Sequence, residues 1–289
     1  MSSRTVFLVA FWLFAGAILF SLSGALLLNY APAAATTALT WIAQHLGPTL
    51  DALIKGPTWL YMALLPVLGL ALYWDELGPV RSFAFLAAGC VIGGGAELLG
   101  TTTGFPFGAY AYNEMLGAKI AGHVPYFIPP SWYAIAIVSL DLARRTGVGR
   151  AGRVALVAVL MVLWDVALDP AMNFAFPFWT YDIPSGANVF TAGLFFGMPL
   201  VNWGGWLLVS ALIGLAYEWM GGLRAEPSPF VATWGPRLYA LNTLFAVGVC
   251  FAYRVPLAGL VGLVGLAAAF GLLRLVRART EASPRPVAA

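Results

Sequence analysis

Long stretches without a charged side chain are the strongest constraint in this sequence. Residues 5–28 form the first of them, and residues 154–163 form another that leads into a pair of acids. Polar and apolar residues do not alternate along these runs, so a β-barrel is not expected. Charged residues supply 9% of the chain, well below the share in soluble domains. The sequence predicts an all-α integral membrane protein, because a helix satisfies its own backbone hydrogen bonds in lipid.

The limits of the apolar segments predict about eight transmembrane helices. Residues 36–54 are amphipathic and are expected at a membrane interface. The predicted spans are 5–28, 57–74, 82–100, 125–143, 154–169, 203–221, 237–253 and 255–273. We expect one polytopic domain, divided into N-terminal spans with the interfacial helix (1–79), a first core unit (80–150), a second core unit (151–223), a C-terminal helix pair (224–277) and a flexible tail (278–289).

Arginine is concentrated in a few connections between the spans. The segment 144–153 carries four arginines, and the C-terminal tail carries four more. Positive charge favours the cytoplasmic side, and an even number of spans returns the chain to the side where it began. The sequence therefore predicts a multi-pass protein of the cytoplasmic membrane with both termini in the cytoplasm.

Two aromatic loops resemble each other. Residues 105–110 and residues 176–181 both read Phe-Pro-Phe-x-x-Tyr, and each follows an acid near a helix end, Glu97 or Asp169. The repeat indicates two similar helix–loop–helix units, related by an axis along the membrane normal, around a central cavity. Chance similarity in a chain rich in aromatic residues is the alternative interpretation.

Three acids are the candidate catalytic residues: Glu97, Asp165 and Asp169. The two aspartates are four residues apart and share one helical face, while Pro170 indicates that the helix ends near Asp169. Ionisable residues inside a membrane are costly and usually functional. Two close carboxyl groups in an apolar site rarely both ionise, so one should hold a proton. The aspartates could instead form a cation site or a structural link between helix ends, and Glu97 could be an ordinary interfacial charge.

Aromatic residues around these acids are the candidate substrate-binding groups. Their rings could form a sleeve for a long apolar ligand and stabilise a cation. Trp and Tyr also gather at any membrane interface, which is the plainer interpretation. The candidates are Phe105, Phe107, Tyr110, Tyr112, Trp132, Trp164, Phe176, Phe178, Tyr181, Asn202 and Trp203.

Metal and nucleotide chemistry find little support in the sequence. His123 has no second histidine nearby, and Cys90 and Cys250 lie in separate apolar segments. No phosphate-binding or dinucleotide motif is present, so neither a cofactor nor nucleic acid is expected. The Asp165–Asp169 spacing is similar to the metal–diphosphate motifs of membrane prenyltransferases, but a second acidic motif and basic residues on the same face are missing.

The motifs taken together resemble a known family. Glu97-Leu-Leu-Gly100, the segment 103–112 and Gly122-His-Val-Pro125 leading to Trp132 are similar to its first half, while Trp164-Asp165, Asp169-Pro-Ala-Met172 and Gly197-Met-Pro-Leu-Val-Asn-Trp203 are similar to its second. The family is the membrane-embedded carotenoid 1,2-hydratases of Deinococcus-type, cyanobacterial and haloarchaeal pathways, including hydratases of lycopene, γ-carotene and bisanhydrobacterioruberin. The resemblance covers residues 80–222; the outer spans are similar in hydrophobicity and placement alone.

This resemblance implies addition of water across the terminal 1,2 double bond of an acyclic ψ end group, without a redox cofactor. We expect Asp165, one turn deeper in the helix, to be the general acid and Asp169 to be the ionised partner that orients or deprotonates the water. Glu97 is the alternative candidate for either role. Asn202 and Tyr110 are expected to hydrogen-bond the water or the acids. The implied partners are a carotenoid, the lipid bilayer and other carotenoid-pathway enzymes. The alternatives are a carrier that only binds a polyene or lipid, and a metal-dependent prenyltransferase.

Overall fold

The structure, a computed structural model, describes residues 1–47, 49–224 and 226–282, apart from the side chain of Thr49. Helices account for most of these residues, and the only strands among them are very short, so the predicted all-α class is confirmed. The helices are α1 (Ser3–Tyr30), α2 (Pro32–Leu46), α3 (Thr49–Thr103), α4 (Ile128–Arg144), α5 (Arg150–Asp169), α6 (Val201–Trp219), α7 (Pro229–Ala252) and α8 (Pro256–Ala282).

Helix α3 contains two of the predicted spans. Its backbone is non-helical at Gly78, where φ is 71°, and Pro79 follows at once. Tyr61 and Glu97 line the same cavity, whereas Glu76 pairs with Arg144 at the other end of the molecule. The chain therefore turns back at Gly78. Positive φ is easily adopted by glycine, which explains how so tight a turn is made.

Eight long helical segments thus occupy the places of the predicted spans: α1, the two limbs of α3, and α4 to α8. Four stretches of the described chain are long and apolar enough to cross a membrane, namely Ser3–Tyr30, Leu50–Thr103, Arg150–Ala175 and Pro256–Ala282. Helix α2 is short, and Ala35 is its one buried residue. Helix α8 continues to Ala282, and residues 283–289 of the predicted tail lie outside the described residues.

Ion pairs gather at one end of the bundle. Arg144 contacts Asp141 at 2.6 Å and also pairs with Glu76, while Arg153 contacts Glu218 at 2.6 Å. Ser3 donates to Asp75 there at 2.8 Å. The start of α1, the turn of α3 and the α4–α5 loop therefore share one face, as the distribution of arginine requires. Which side of a membrane this face meets stays a prediction, as do the domain divisions.

The opposite end carries the aromatic loops. Strand β1 (Tyr110–Tyr112) pairs with β4 (Trp179–Tyr181) in an antiparallel ladder, and β2 (Lys119–Ile120) pairs with β3 (Val124–Pro125). A π-helical turn, Pro170–Ala175, links α5 to the second loop. The two loops that resemble each other in sequence are thus joined by hydrogen bonds.

The glycine run in α3 lets α4 approach closely. A Cβ on Gly93 would lie 2.4 Å from the Trp132 side chain, and one on Gly94 would lie 2.8 Å from Pro129. Any larger residue at Gly93 would displace the Trp132 side chain from its place against α3. The glycines therefore serve the packing of α4 against α3.

Candidate active site

Three buried carboxyl groups line one apolar cavity of about 670 Å³. Glu97 lies near the end of α3, and Asp165 and Asp169 lie on one face of the last turns of α5. Their exposed fractions are 6%, 0% and 1%. The structure thus brings together the three acids that the sequence singled out, although they come from different helices.

Glu97 is held by three neutral donors. The hydroxyl groups of Tyr110 and Tyr112 both donate to its Oε2 atom, the second at 2.8 Å. The indole N–H of Trp132 donates to Oε1 at 2.9 Å. The strand β1 supplies both tyrosines because its alternating residues face the cavity, and α4 supplies the tryptophan.

A single amide joins the two aspartates. Asn202, at the start of α6, donates from Nδ2 to Asp165 Oδ2 at 3.1 Å and to Asp169 Oδ2 at 2.6 Å. Asp169 also accepts the Trp179 indole N–H at 2.9 Å on Oδ1 and the Tyr181 hydroxyl at 3.1 Å on Oδ2. The Oδ1 atom of Asp165 is buried and has no hydrogen-bond partner in the described part of the chain.

The repeated tyrosines occupy equivalent places. Tyr110 pairs with Tyr181 in the β1–β4 ladder, and each donates to the acid of its own unit, Glu97 or Asp169. Main-chain bonds continue the ladder, with the N–H of Asp182 donating to Ala109 at 2.8 Å. This arrangement supports the duplicated unit inferred from the sequence, because an antiparallel pair of equivalent strands is what a local two-fold axis produces.

These tyrosines remain donors at ordinary pH. Burial raises the pKa of Tyr110, Tyr112 and Tyr181 well above the usual value, and the neighbouring carboxyl groups raise it further. A protonated hydroxyl can donate to a carboxylate, whereas a phenolate would repel it. The hydrogen bonds on Glu97 and Asp169 are therefore stable features of the site.

Most of the predicted aromatic residues line the cavity. The described lining does not include Phe105 and Trp203, which were also predicted to bind substrate. The side chain of Phe105 is on the outside of the turn and is 59% exposed, while Phe107 points inward. Trp203 is one helical position beyond Asn202, which rotates its ring onto Phe195, with the ring centres 4.8 Å apart. Predicted residues that do line the cavity are Phe107, Tyr110, Tyr112, Trp132, Trp164, Phe176, Phe178, Tyr181 and Asn202.

Trp206 is a lining residue that the sequence reasoning missed. Its ring stacks on Trp132 at 4.2 Å between centres and meets Trp164 edge to face at 5.7 Å. The spacing of four residues from Asn202 places it on the same face of α6, which is the signal that could have identified it. The role of Trp179 as a donor to Asp169 was also missed.

Basic side chains are absent from the described lining of the cavity. Lys119 is turned to the Tyr112 carbonyl oxygen at 2.8 Å and to Glu114 at 2.6 Å, and His123 is exposed. Within the described residues, no group of three or more His, Cys, Asp and Glu side chains is arranged to hold a metal ion. The acids are therefore held by neutral donors rather than by cations.

Comparison with known proteins identifies the family. A model of the family described as carotenoid biosynthesis protein matches residues 58–269, which include all three acids and every donor to them. The chain belongs to this family. Helices α1 and α2 lie before the matched region.

A bisanhydrobacterioruberin hydratase from Haloarcula japonica is 31% identical to the chain over 138 residues. The aligned part covers 45% of this chain and 43% of that protein, so the chain matches less than half the length of this relative. No match was found among the solved structures.

Proposed function

We propose that this protein is a carotenoid hydratase. It adds water across the terminal 1,2 double bond of an acyclic ψ end group, as in lycopene or γ-carotene, and forms a tertiary alcohol at C1. Membership of the carotenoid biosynthesis family and partial similarity to a hydratase support the substrate class and the reaction. The reaction needs an acid, a base and water, and requires no cofactor.

The observation that carries the proposal is the cluster of three carboxyl groups on an otherwise apolar cavity without a basic residue in its described lining. Burying several uncompensated carboxylates is very costly, so neutral donors around the cluster favour a mixture of protonated and ionised groups. A protonated carboxyl beside a carboxylate can give one proton and take another. Acid-catalysed hydration requires both steps.

Hydrogen bonding supports a division of roles. Glu97 and Asp169 each accept three bonds, the arrangement that favours an ionised carboxylate. Asp165 accepts one bond, on Oδ2, and its Oδ1 atom has no partner among the described residues. We therefore assign Asp165 as the general acid and Asp169 as the base, with Glu97 as a second carboxylate near the developing charge.

The proposed reaction proceeds through a tertiary carbocation. Asp165 gives its proton to C2, the π electrons of the double bond form the new C–H bond, and positive charge develops at C1. The faces of the clustered tryptophans, Trp132, Trp164 and Trp206, can stabilise that charge. Water then bonds to C1 and loses a proton to Asp169. Return of this proton to Asp165 restores the site, and Asn202 holds the two carboxyl groups together for that step.

Expression in cells that accumulate lycopene or γ-carotene tests the function. A hydratase produces pigments heavier by one water, with no added cofactor and in the presence of a chelator. Unchanged pigment that copurifies with the protein would identify a carrier instead. A gain of isoprene units that the chelator abolishes would identify a metal-dependent prenyltransferase.

Amide substitutions test the assignment of roles. Asp165→Asn keeps the shape of the side chain but removes the transferable proton, so we expect normal membrane levels, retained carotenoid and a rate lower by ~10²-fold or more. Glu97→Gln should retain more activity than Asp165→Asn. Full activity in Asp165→Asn with an inactive Glu97→Gln would reverse the assignment, and full activity in both and in Asp169→Asn would exclude this site.

The location in the cytoplasmic membrane, cytoplasmic termini and association with other carotenoid-pathway enzymes remain predictions. A reporter fused within residues 144–153 would test the orientation, since it should be active in the cytoplasm.

A further inference from the structure

The cavity is closed at the acids and open at its other end. All three acids and Asn202 are buried, and the aromatic loops cover them. The lining residues that also reach the surface are elsewhere, on α1 or in the first turns of α3: Phe20, Ser23, Leu27, Leu28 and Ile54. The lining residues therefore become less buried from the acids towards α1, so the cavity opens beside α1.

The surface on the α1 side of this opening is apolar. Helix α1 has no charged residue after Arg4, and its outward side chains Leu19 and Leu26 are exposed. This helix is also one of the stretches suited to crossing a membrane. An exposed surface of this composition is stable in hydrocarbon and not in water, so the cavity opens towards lipid.

We propose that the apolar part of the cavity, between α1, α2 and the first turns of α3, is a subsite for the polyene chain and leads it sideways into the bilayer. This inference rests on the proposed function. The reacting end lies at the acids, and the rest of the chain leaves through the opening. An extended carotenoid is about as long as the ~30 Å hydrocarbon core, so an open-ended cavity accommodates a chain that a closed one could not.

Gly24 keeps the subsite wide. It lies on α1 and lines the cavity, and a Cβ built on it would have no atom within 4 Å. A larger side chain can therefore enter the cavity without striking the protein. Ala25 on α1 and Ala35 and Ala38 on α2 also line the cavity, so both helices present some small side chains to it.

Gly16 offers a matched control on the same helix. A Cβ there also has no atom within 4 Å, but Gly16 does not line the cavity. Gly16 is exposed and lies eight residues before Gly24 on α1, outside the lining, so a tryptophan there extends from the outer surface of the helix. The two substitutions thus add the same side chain to one helix and differ in whether they fill the cavity.

The experiment compares Gly24→Leu, Gly24→Trp and Gly16→Trp in the full chain, expressed in lycopene-accumulating cells. Each is made alone and together with Asp165→Asn, which serves to trap unreacted pigment. We expect Gly24→Trp to lower both hydration and pigment retained after purification by ~10-fold or more, since displaced carbons lose their buried contacts. Gly24→Leu should have a smaller effect in the same direction, and Gly16→Trp should match the parent.

Equal pigment retention and hydration in Gly24→Trp and the parent, at equal membrane levels, would overturn the polyene subsite. Equal losses of hydration and of retained pigment in Gly24→Trp and Gly16→Trp would also overturn the polyene subsite, because a tryptophan would then have the same effect on α1 outside the cavity as inside it. Pigment that is bound but never hydrated by the chain with Asp165 intact would reject the proposed function, while loss of that pigment in Gly24→Trp would still support the subsite.

Discussion

Replacing Asn202 with leucine tests how the aspartates work together. Leucine has the same branching as asparagine, with methyl groups in place of the amide oxygen and nitrogen, but cannot donate a hydrogen bond. The substitution removes the bonds from Nδ2 to Asp165 at 3.1 Å and to Asp169 at 2.6 Å. We expect a loss of rate and a loss of stability of similar size in free energy, for separate reasons.

The rate depends on the bond to Asp165. That carboxyl group becomes negative as its proton leaves, so the Asn202 bond is stronger in the transition state than before it. A hydrogen bond to a charged group contributes about 1.5–3 kcal/mol, which corresponds to a rate lower by about 10- to 150-fold. The bond to Asp169 stabilises the folded protein by a similar amount, about 1.5–3 kcal/mol, and its loss should lower the melting temperature.

The assay measures initial rates of hydration by purified protein in lipid nanodiscs, with melting followed on the same samples. Ser131→Ala is the control, because Ser131 lines the cavity but donates to the Ile128 carbonyl oxygen at 2.7 Å rather than to an acid. Ser131→Ala should hydrate at the parental rate. An Asn202→Leu protein that folds and reacts within a few-fold of the parent would refute the idea that Asp165 becomes charged during the reaction.

Three further predictions concern stability, each measured by thermal unfolding. Phe107→Ala should destabilise the fold by about 3–5 kcal/mol because its ring is 2% exposed, whereas Phe105→Ala, at 59% exposure, should change it little. Arg153→Ala removes the partner of the buried Glu218 carboxylate at 2.6 Å and leaves the more distant Arg150 at 3.8 Å. The substitution should cost about 2 kcal/mol, below the range for fully buried pairs, because Arg153 is partly exposed and Arg150 remains; the rate of the folded protein should not change. The free energy of unfolding should also decrease above about pH 10. Tyrosine in the unfolded chain loses its proton near pH 10.0, whereas burial raises the pKa of Tyr181 and keeps it protonated in the folded protein. A free energy of unfolding that does not change with pH in this range would contradict the raised pKa.

The fold and the acids were largely predictable from the sequence. Charge-free runs define the spans because lipid excludes unpaired backbone groups and charges, and this reasoning holds for each helix separately. The four-residue spacing of Asp165 and Asp169 placed both on one face. The repeated motif predicted two similar units around one cavity, and in the structure Tyr110 lies opposite Tyr181.

The direction of individual side chains was less predictable. Phe105 and Phe107 belong to the same motif, yet the backbone at Gly104 and Gly108, both with positive φ, turns Phe107 alone towards the cavity. Such a turn depends on contacts from other helices, including the close approach of Gly205 to the Phe107 ring. The spacing of residues in the sequence does not predict these contacts.

The contribution of α1 and α2 to the cavity was not predicted either. Helix α1 is apolar on every side, so its sequence does not show which face meets protein and which meets lipid. The structure assigns one face to the cavity through Gly24 and Leu28 and leaves Leu26 outside. The donors to the acids were partly predicted, because Tyr110 and Asn202 were expected to hydrogen-bond the acids while Trp179 was not.

The most direct test of the hydratase mechanism is the origin of the oxygen in the product. Purified protein would be given lycopene in nanodiscs in water enriched in ¹⁸O, without added cofactors, and the pigment would be analysed by mass spectrometry. We expect a tertiary alcohol whose oxygen is ¹⁸O from the solvent, formed by the parent and nearly absent from Asp165→Asn. A hydroxyl group without the label, or lycopene recovered unchanged from a folded protein that binds it, would contradict the account.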